Sequence, residues 1–281
     1  MNKKLMQVFS ATLLFLLAAV ACSPVEEPDD GILLMTFNIR YGSADDGPNS
    51  WTLRRPLVTD IVRESSPDVL AIQEGLDFQL EDLAGALGGF RKLGQHRDGG
   101  LSGEFSGLYV QEGRLEIIGW GELWLSSNPD SAGSVGWDAA LPRMAVWADI
   151  RLAGGDQVLR VYGTHLDHRG TQARLESSRL LLRHASGGPP AVFMGDFNAP
   201  EDSEPIRHFI DQGFRSAVLA HNPETQTGTF NGFEDPTGGR RIDHILVHPD
   251  LRIDSGEILE ASGATPWPSD HFPVTARVGF Q

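Results

Sequence analysis

The sequence predicts an α/β protein made of two packed mixed sheets with helices on their outer faces. Three observations predict it. Runs such as "ILLMTFNI" (32–39), "DVLAIQE" (68–74) and "AVFMGD" (191–196) are continuously apolar, the pattern of strands covered on both faces. Strand-like blocks are interleaved with only a few helical ones, so the steady alternation of a doubly wound sheet is absent. Each of these runs also stops on a carboxylate or amide, as strands do where loops gather around a ligand.

Taken in order, "ILLMTFNI" reads as a buried strand that stops at Asn38. "SWTLRRPLVTDIVRESSP" places Leu57, Ile61 and Val62 at helical spacing and ends before Pro67. "DVLAIQE" is a second strand closing on Glu74, and "DFQLEDLAGALGG" a helix with a Gly-rich finish. From about 105 to 163, runs such as "FSGLYV", "RLEIIGWGELWL", "RMAVWADIRL" and "VLRVYGTH" read as strands, several half-buried. "TQARLESSRLLLRHA" is helical by pattern. "AVFMGD", "RIDHILVHP", "LRIDSGEIL" and "FPVTARVGF" complete the strands. No fixed-period repeat is evident.

The 281 residues divide into a leader and one domain. "MNKK" is a positive n-region and "LMQVFSATLLFLLAAVA" an apolar stretch too short for a comfortable membrane span. "AVAC" resembles a bacterial lipoprotein signal, which implies cleavage before Cys22 and attachment of lipid to its thiol; a plain secretory signal is the alternative. The expected division is a signal peptide over 1–21, a lipidated Cys22 with a polar, Pro-rich tether over 22–31, and a catalytic domain over 32–281. Cys22 is the only cysteine, so stability must come from a large core rather than a disulfide. The formal charge is −15, and loss of Lys3 and Lys4 makes the mature chain two charges more acidic. That balance opposes tight binding along a nucleic-acid backbone.

Polar strand ends recur at Asn38, Glu74, His165 with Asp167, Asp196 with Asn198, Asp243, and Asp270 with His271. Singly, each has a structural explanation: Asn38 caps a turn, Glu74 an adjacent helix end, Asp167 the helix after it. Together they describe one site. In "GDFN", residues one apart share a face of an extended chain, so Asp196 and Asn198 point to a common partner. Carboxylates and amides without thiolates suit a hard cation, Mg²⁺, Mn²⁺ or Ca²⁺. An imidazole beside a carboxylate makes an oriented general base, and a second, cationic imidazole a donor to a developing phosphoryl charge. The combination fits hydrolysis of a phosphoester by water.

"TFNIRYG", "IQE", "GTHLDH", "GDFN", "RIDHI" and "SDHFPV" follow one another as in the endonuclease/exonuclease/phosphatase superfamily, which the chain resembles from Leu33 to Val278. The resemblance implies a four-layer α/β/β/α sandwich. It implies Glu74 as principal metal ligand with Asn38 and Asp270, and His271 as base with Asp243 orienting it. Asp196 and Asn198 then position the water and phosphoryl oxygens, and His165 donates to a non-bridging oxygen. Arg143, in "LPRMAVW", is either a phosphate contact or a surface cation. Near the first strand, Trp51 reads as a packing residue. The Gly-rich stretch 227–243 borders the pocket without reading a substrate.

Two other classes compete. "HLD" with a distant His resembles the Fe(II) triad of non-haem oxygenases, using His165, Asp167 and His271, but leaves Glu74, Asp196, Asn198 and Asp243 idle. A surface binding module without turnover would normally lack a ligand or base, and none is missing here. The expected substrate is a phosphorylated small molecule, a lipid headgroup or a nucleic acid. Membrane contact is expected through the N-terminal lipid, and no obligate protein partner is evident.

Overall fold

The computed structural model describes residues 31–101, 103–234, 239–260 and 265–281. The leader, the tether and Cys22 lie outside the described residues, as do positions 235–238 of the Gly-rich stretch.

Two six-stranded mixed sheets form the centre. The strands are β1 (Ile32–Asn38), β2 (Val69–Gly75), β3 (Phe90–Leu93), β4 (Phe105–Gln111), β5 (Leu115–Trp124) and β6 (Met144–Leu152) in the first half of the chain. The second half supplies β7 (Leu159–His165), β8 (Ala191–Asp196), β9 (Arg215–Ser216), β10 (Asp243–Val247), β11 (Leu251–Ile258) and β12 (Val274–Phe280). The helices are α1 (Trp51–Ser65), α2 (Asp77–Leu83), α3 (Thr171–Ala185), α4 (Glu204–Asp211) and α5 (Ala217–His221). One sheet runs β11-β12-β1-β2-β4-β3 and the other β5-β6-β7-β8-β10-β9. Each has a single parallel pair at its centre, β1 with β2 and β7 with β8, flanked by antiparallel strands. The crossovers that parallel pairing requires are α1 and α3.

The sheets face each other across Leu34, Leu108, Val146, Val161, Met194 and their neighbours. α1 and α2 cover the outer face of the first sheet, against Met35, Phe37, Leu70 and Ile72. α3 and α4 cover that of the second, against Tyr162, Phe193 and Leu246. Both central pairs are thus buried on both faces, which is why their sequences are continuously apolar.

Local differences have identifiable causes. α1 buries Trp51, Arg54, Val58 and Val62, whereas Leu57 is exposed and Ile61 only partly covered. An arginine occupies the face that apolar spacing assigns elsewhere. The Arg54 guanidinium is fully buried and donates to the carbonyls of Ile39, Arg40, Asn49 and Pro268. It ties the exit of β1 to the segment before Asp270. Burial lowers its pKa to about 10, which still leaves it charged at neutral pH. Trp51 packs as expected, its indole N–H on Asp82 at 2.8 Å. The first turn of α3 is capped from a distance: Asp138 accepts the Gln172 and Ala173 N–H groups, while Asp167 accepts those of Arg169 and Gly170. α4, α5 and β3 are too short for periodicity to reveal.

Candidate active site

The last residues of β1, β2, β7 and β8 and the first of β10 lie on one edge of the sandwich, together with the segment entering β12. At the end of β1, Asn38 is fully buried, and its Nδ2 donates to Glu74 Oε1 and Asp196 Oδ2, both at 3.0 Å. One amide therefore bridges the two sheets. The β2–β4 register shifts between Ile72 and Gly75, and Glu74 takes a left-handed backbone (φ 62°). Such irregularities re-aim side chains at functional sites. Glu74 Oε2 accepts the Tyr41 N–H at 3.1 Å.

In the second sheet, β7 and β8 bring Thr164 opposite Gly195 and His165 opposite Asp196. Gly195 has φ 150°, and a Cβ there would stand 2.0 Å from the Thr164 carbonyl oxygen, so the Gly of "GDFN" is required by close approach of two backbones. The Asp–Asn pair converges, but not along an extended strand. Asn198 is left-handed (φ 48°), its N–H donates to Asp196 Oδ1 at 2.8 Å, and its Nδ2 lies 3.2 Å from His165 Nε2. A tight turn performs what alternation along a strand would not.

His271 Nδ1 meets Asp243 Oδ2 at 2.8 Å, and its Nε2 lies 3.8 Å from Asp196 Oδ2. The stretch 229–231 holds these two residues together. Thr229 Oγ1 accepts the N–H groups of Ile242 and Asp243, the Thr229 carbonyl accepts Phe272 N–H, and Asn231 N–H donates to the Asp270 carbonyl. Phe230 packs edge-on against the His271 ring, centroids 5.1 Å apart. This part of the Gly-rich loop is a clamp rather than a mere border. The polar Thr229 and Asn231 around an aromatic were its only sequence signal.

Arg143, just before β6, is buried rather than a surface cation. Its Nη2 meets His168 Nδ1 at 3.1 Å and its Nε lies 3.5 Å from Asp167 Oδ2, while Nη1 is buried without a hydrogen-bond partner. Asp167 is thereby committed to Arg143 and its own turn. It does not join His165 in an Fe(II) triad, and the two-sheet sandwich is no oxygenase jelly roll. The side chains converge on a cleft of about 470 Å³. Arg40, Tyr41, Arg97, Glu104, Leu141 and Phe230 line it as well; Arg97 and Glu104 lie outside every motif read from the sequence.

Burial and the neighbouring Asp243 push the Asp196 carboxyl up to about 7. Burial opposes charge on His271, yet Asp243 and Asp196 hold its pKa well above the ordinary imidazole value. Burial, reinforced by Arg143 and Arg97, drives His165 well below it. These surroundings disfavour the cationic form of His165 that the sequence suggests. Burial also raises Asp270, with Arg40 3.7 Å from its carboxylate opposing the shift.

The donor set suits a hard cation: all-oxygen carboxylates with imidazole and no thiolate. Asp243 Oδ1 is buried without a hydrogen bond, a lone pair that a cation could take. Among the described residues, Asp196, Asp243 and His271 form the one acidic or imidazole group whose ligand atoms lie within 4.8 Å of one another. Glu74 and Asp270 are outside that group, although both line the cleft. Asn38 presents its NH₂ to the carboxylates and takes the Arg40 N–H on Oδ1, which makes it an orienting partner of Glu74 in this structure.

Comparison with known proteins agrees with this geometry. Among curated proteins no match is found. An endonuclease/exonuclease/phosphatase from Bacteroides vulgatus is 30% identical, with a TM-score of 0.83 over 89% of this chain and 99% of that one. A mannosyl-6-phosphatase from Bacteroides thetaiotaomicron is 29% identical, with a TM-score of 0.81 over 89% and 100% of the two chains. The human Nocturnin catalytic domain, with bound sulfate, shares the fold at 18% identity, with a TM-score of 0.71 over 90% and 94%. The sequence itself matches the Endonuclease/Exonuclease/phosphatase family over residues 35–271, so the motifs at the strand ends and the sandwich that gathers them have one explanation: the chain belongs to that family.

Proposed function

We propose that the protein is a divalent-metal-dependent hydrolase of phosphoester bonds in small molecules, using a water activated by His271. One observation carries the reading. The His271–Asp243 pair leaves Nε2 free on the cleft side, in the same 470 Å³ space as Glu74, Asp196, Asn198 and His165. Only the neutral ring can take the proton of the attacking water on Nε2, and a cation held among the neighbouring carboxylates would favour that form by offsetting the negative field that raises the His271 pKa. Asp243 on Nδ1 fixes the tautomer and stabilises the imidazolium that results. Asp196 and Asn198 position that water and the phosphoryl oxygens. His165 Nε2 supplies a hydrogen bond where charge develops on those oxygens, and the Arg143 guanidinium, on the same cleft, adds its positive field.

Glu74 and Asp270 would hold the cation, Mg²⁺ or Mn²⁺ (Ca²⁺ shares their oxygen preference), with Asn38 orienting Glu74. When bound, such an ion supplies Lewis-acid polarisation of a phosphoryl oxygen. A cation on Asp196, Asp243 and His271 would compete for the base. The 2.8 Å His271–Asp243 bond favours keeping that imidazole for proton transfer.

The net charge of −15 weighs against a nucleic-acid substrate. Likeness to the mannosyl-6-phosphatase supports a phosphorylated sugar. Purified protein assayed on sugar phosphates, phospholipids and nucleic acids should release phosphate or cleave diester only with Mg²⁺ or Mn²⁺. Inactivity on every class with either metal sinks the proposal.

Lipid attachment at Cys22 would hold the enzyme at the bacterial cell envelope. Mass spectrometry of the mature N-terminus should find an acylated Cys22, whereas a cleaved, unmodified terminus would favour plain secretion.

A further inference from the structure

We propose that Arg97 and Glu104 form a specificity subsite that reads the hydroxyl groups of the sugar portion of the substrate, an inference that rests on the hydrolase reading above. Both belong to the connection between β3 and β4 and line the same cleft as His165 and Arg143. Arg97 Nη1 donates to Glu104 Oε2 at 2.6 Å, and the two side chains are only 12% and 16% exposed. Their backbones are pinned as well. Arg97 N–H donates to the Glu104 carbonyl at 3.0 Å, and the Trp124 indole N–H donates to the Arg97 carbonyl at 2.7 Å. A surface ion pair would have none of this support. The pair is pre-organised, so binding to it costs little side-chain entropy.

Arg97 Nε is buried without a hydrogen bond, but one donor and one acceptor of the pair remain open. Arg97 Nη2 and Glu104 Oε1 bond to no described residue, and neither is among the side-chain atoms sealed from solvent. A fixed donor beside a fixed acceptor matches a hydroxyl group, which needs one of each, and a vicinal pair matches it twice. The opposite charges of the pair offset each other, so it offers little net attraction to a second phosphate or a polyanion backbone. Leu141 and Phe230, on the same cleft, offer apolar surface to the C–H faces of a ring. Phosphoryl chemistry and hydroxyl recognition therefore share one small-molecule site.

The test compares mannose 6-phosphate, which carries ring hydroxyls, with p-nitrophenyl phosphate, which has none, at fixed Mg²⁺. Wild-type protein should prefer the sugar phosphate in kcat/KM. Glu104→Gln and Arg97→Gln should each lower the ratio of the two kcat/KM values by about 10–100-fold, as expected for lost hydrogen bonds to charged groups, with the change mostly in KM. Ratios that stay within about threefold of wild type, or a wild-type enzyme with no preference, overturn the subsite. Absence of metal-stimulated hydrolysis of any phosphoester would instead sink the hydrolase reading. Calorimetric binding of mannose 6-phosphate to wild type and Glu104→Gln would then decide the subsite alone: weaker binding in the variant sustains it, and equal or undetectable binding overturns it.

Discussion

Replacing His271 by Ala lowers kcat by about 10²–10⁴-fold with the fold intact, the loss expected when a positioned general base is removed. The prediction follows from geometry. His271 is buried, bonded through Nδ1 to Asp243 at 2.8 Å, and held there by the loop containing Thr229 and Phe230. With Nδ1 committed, Nε2 alone can serve a reacting water. Removing the ring leaves a cavity beside Phe230 large enough for free imidazole, so added imidazole should restore part of the rate to His271→Ala. A merely structural histidine would show no such rescue. Wild-type turnover by His271→Ala, measured with the same substrate and metal, removes this residue from the mechanism.

Glu74→Ala raises the Mg²⁺ concentration needed for half-maximal rate by at least about 10–100-fold, the range that loss of a residue supporting a metal ligand already costs. Glu74 sits where the chain accepts a left-handed backbone and a register break in β2 to aim one carboxylate into the cleft. Strain of this kind persists when the surrounding structure enforces it. Asn38→Ala should shift the titration less, because Asn38 orients Glu74 through a single 3.0 Å bond. The competing cation position makes the opposite forecast. If Glu74→Ala leaves the metal titration where it was and Asp243→Ala abolishes it, the ion belongs to the Asp196–Asp243–His271 group.

Much of the architecture was legible because strand burial is written locally. The central pairs β1 with β2 and β7 with β8 are covered on both faces, and their continuous apolar runs say so without reference to the rest of the chain. The polar stops at Asn38, Glu74, His165 and Asp196 were equally plain, since a polar group ending a buried strand needs a partner. What resisted reading was any element whose pattern is broken by function or by length. Arg54 takes a core face of α1 because four carbonyls await it, so the expected Leu57 points outward. Asp138, rather than the nearer Asp167, caps α3, because the cap comes from a segment more than thirty residues earlier in the chain.

The sequence by itself determined which residues could carry the chemistry: oxygen donors, imidazoles and one buried-strand framework, without thiols. Only the tertiary structure decided how they are used. Pairing of β7 with β8 and of β8 with β10 sets Asp196 beside His165 and Asp243, and one amide from β1 links the two sheets. Burial in that shared space then disfavoured charge on His165, lifted the Asp196 pKa and sank Arg143 out of solvent. The physical reason is range. Side-chain periodicity acts over a few residues and is visible in any window, whereas register, desolvation and charge coupling depend on neighbours that only the folded chain supplies.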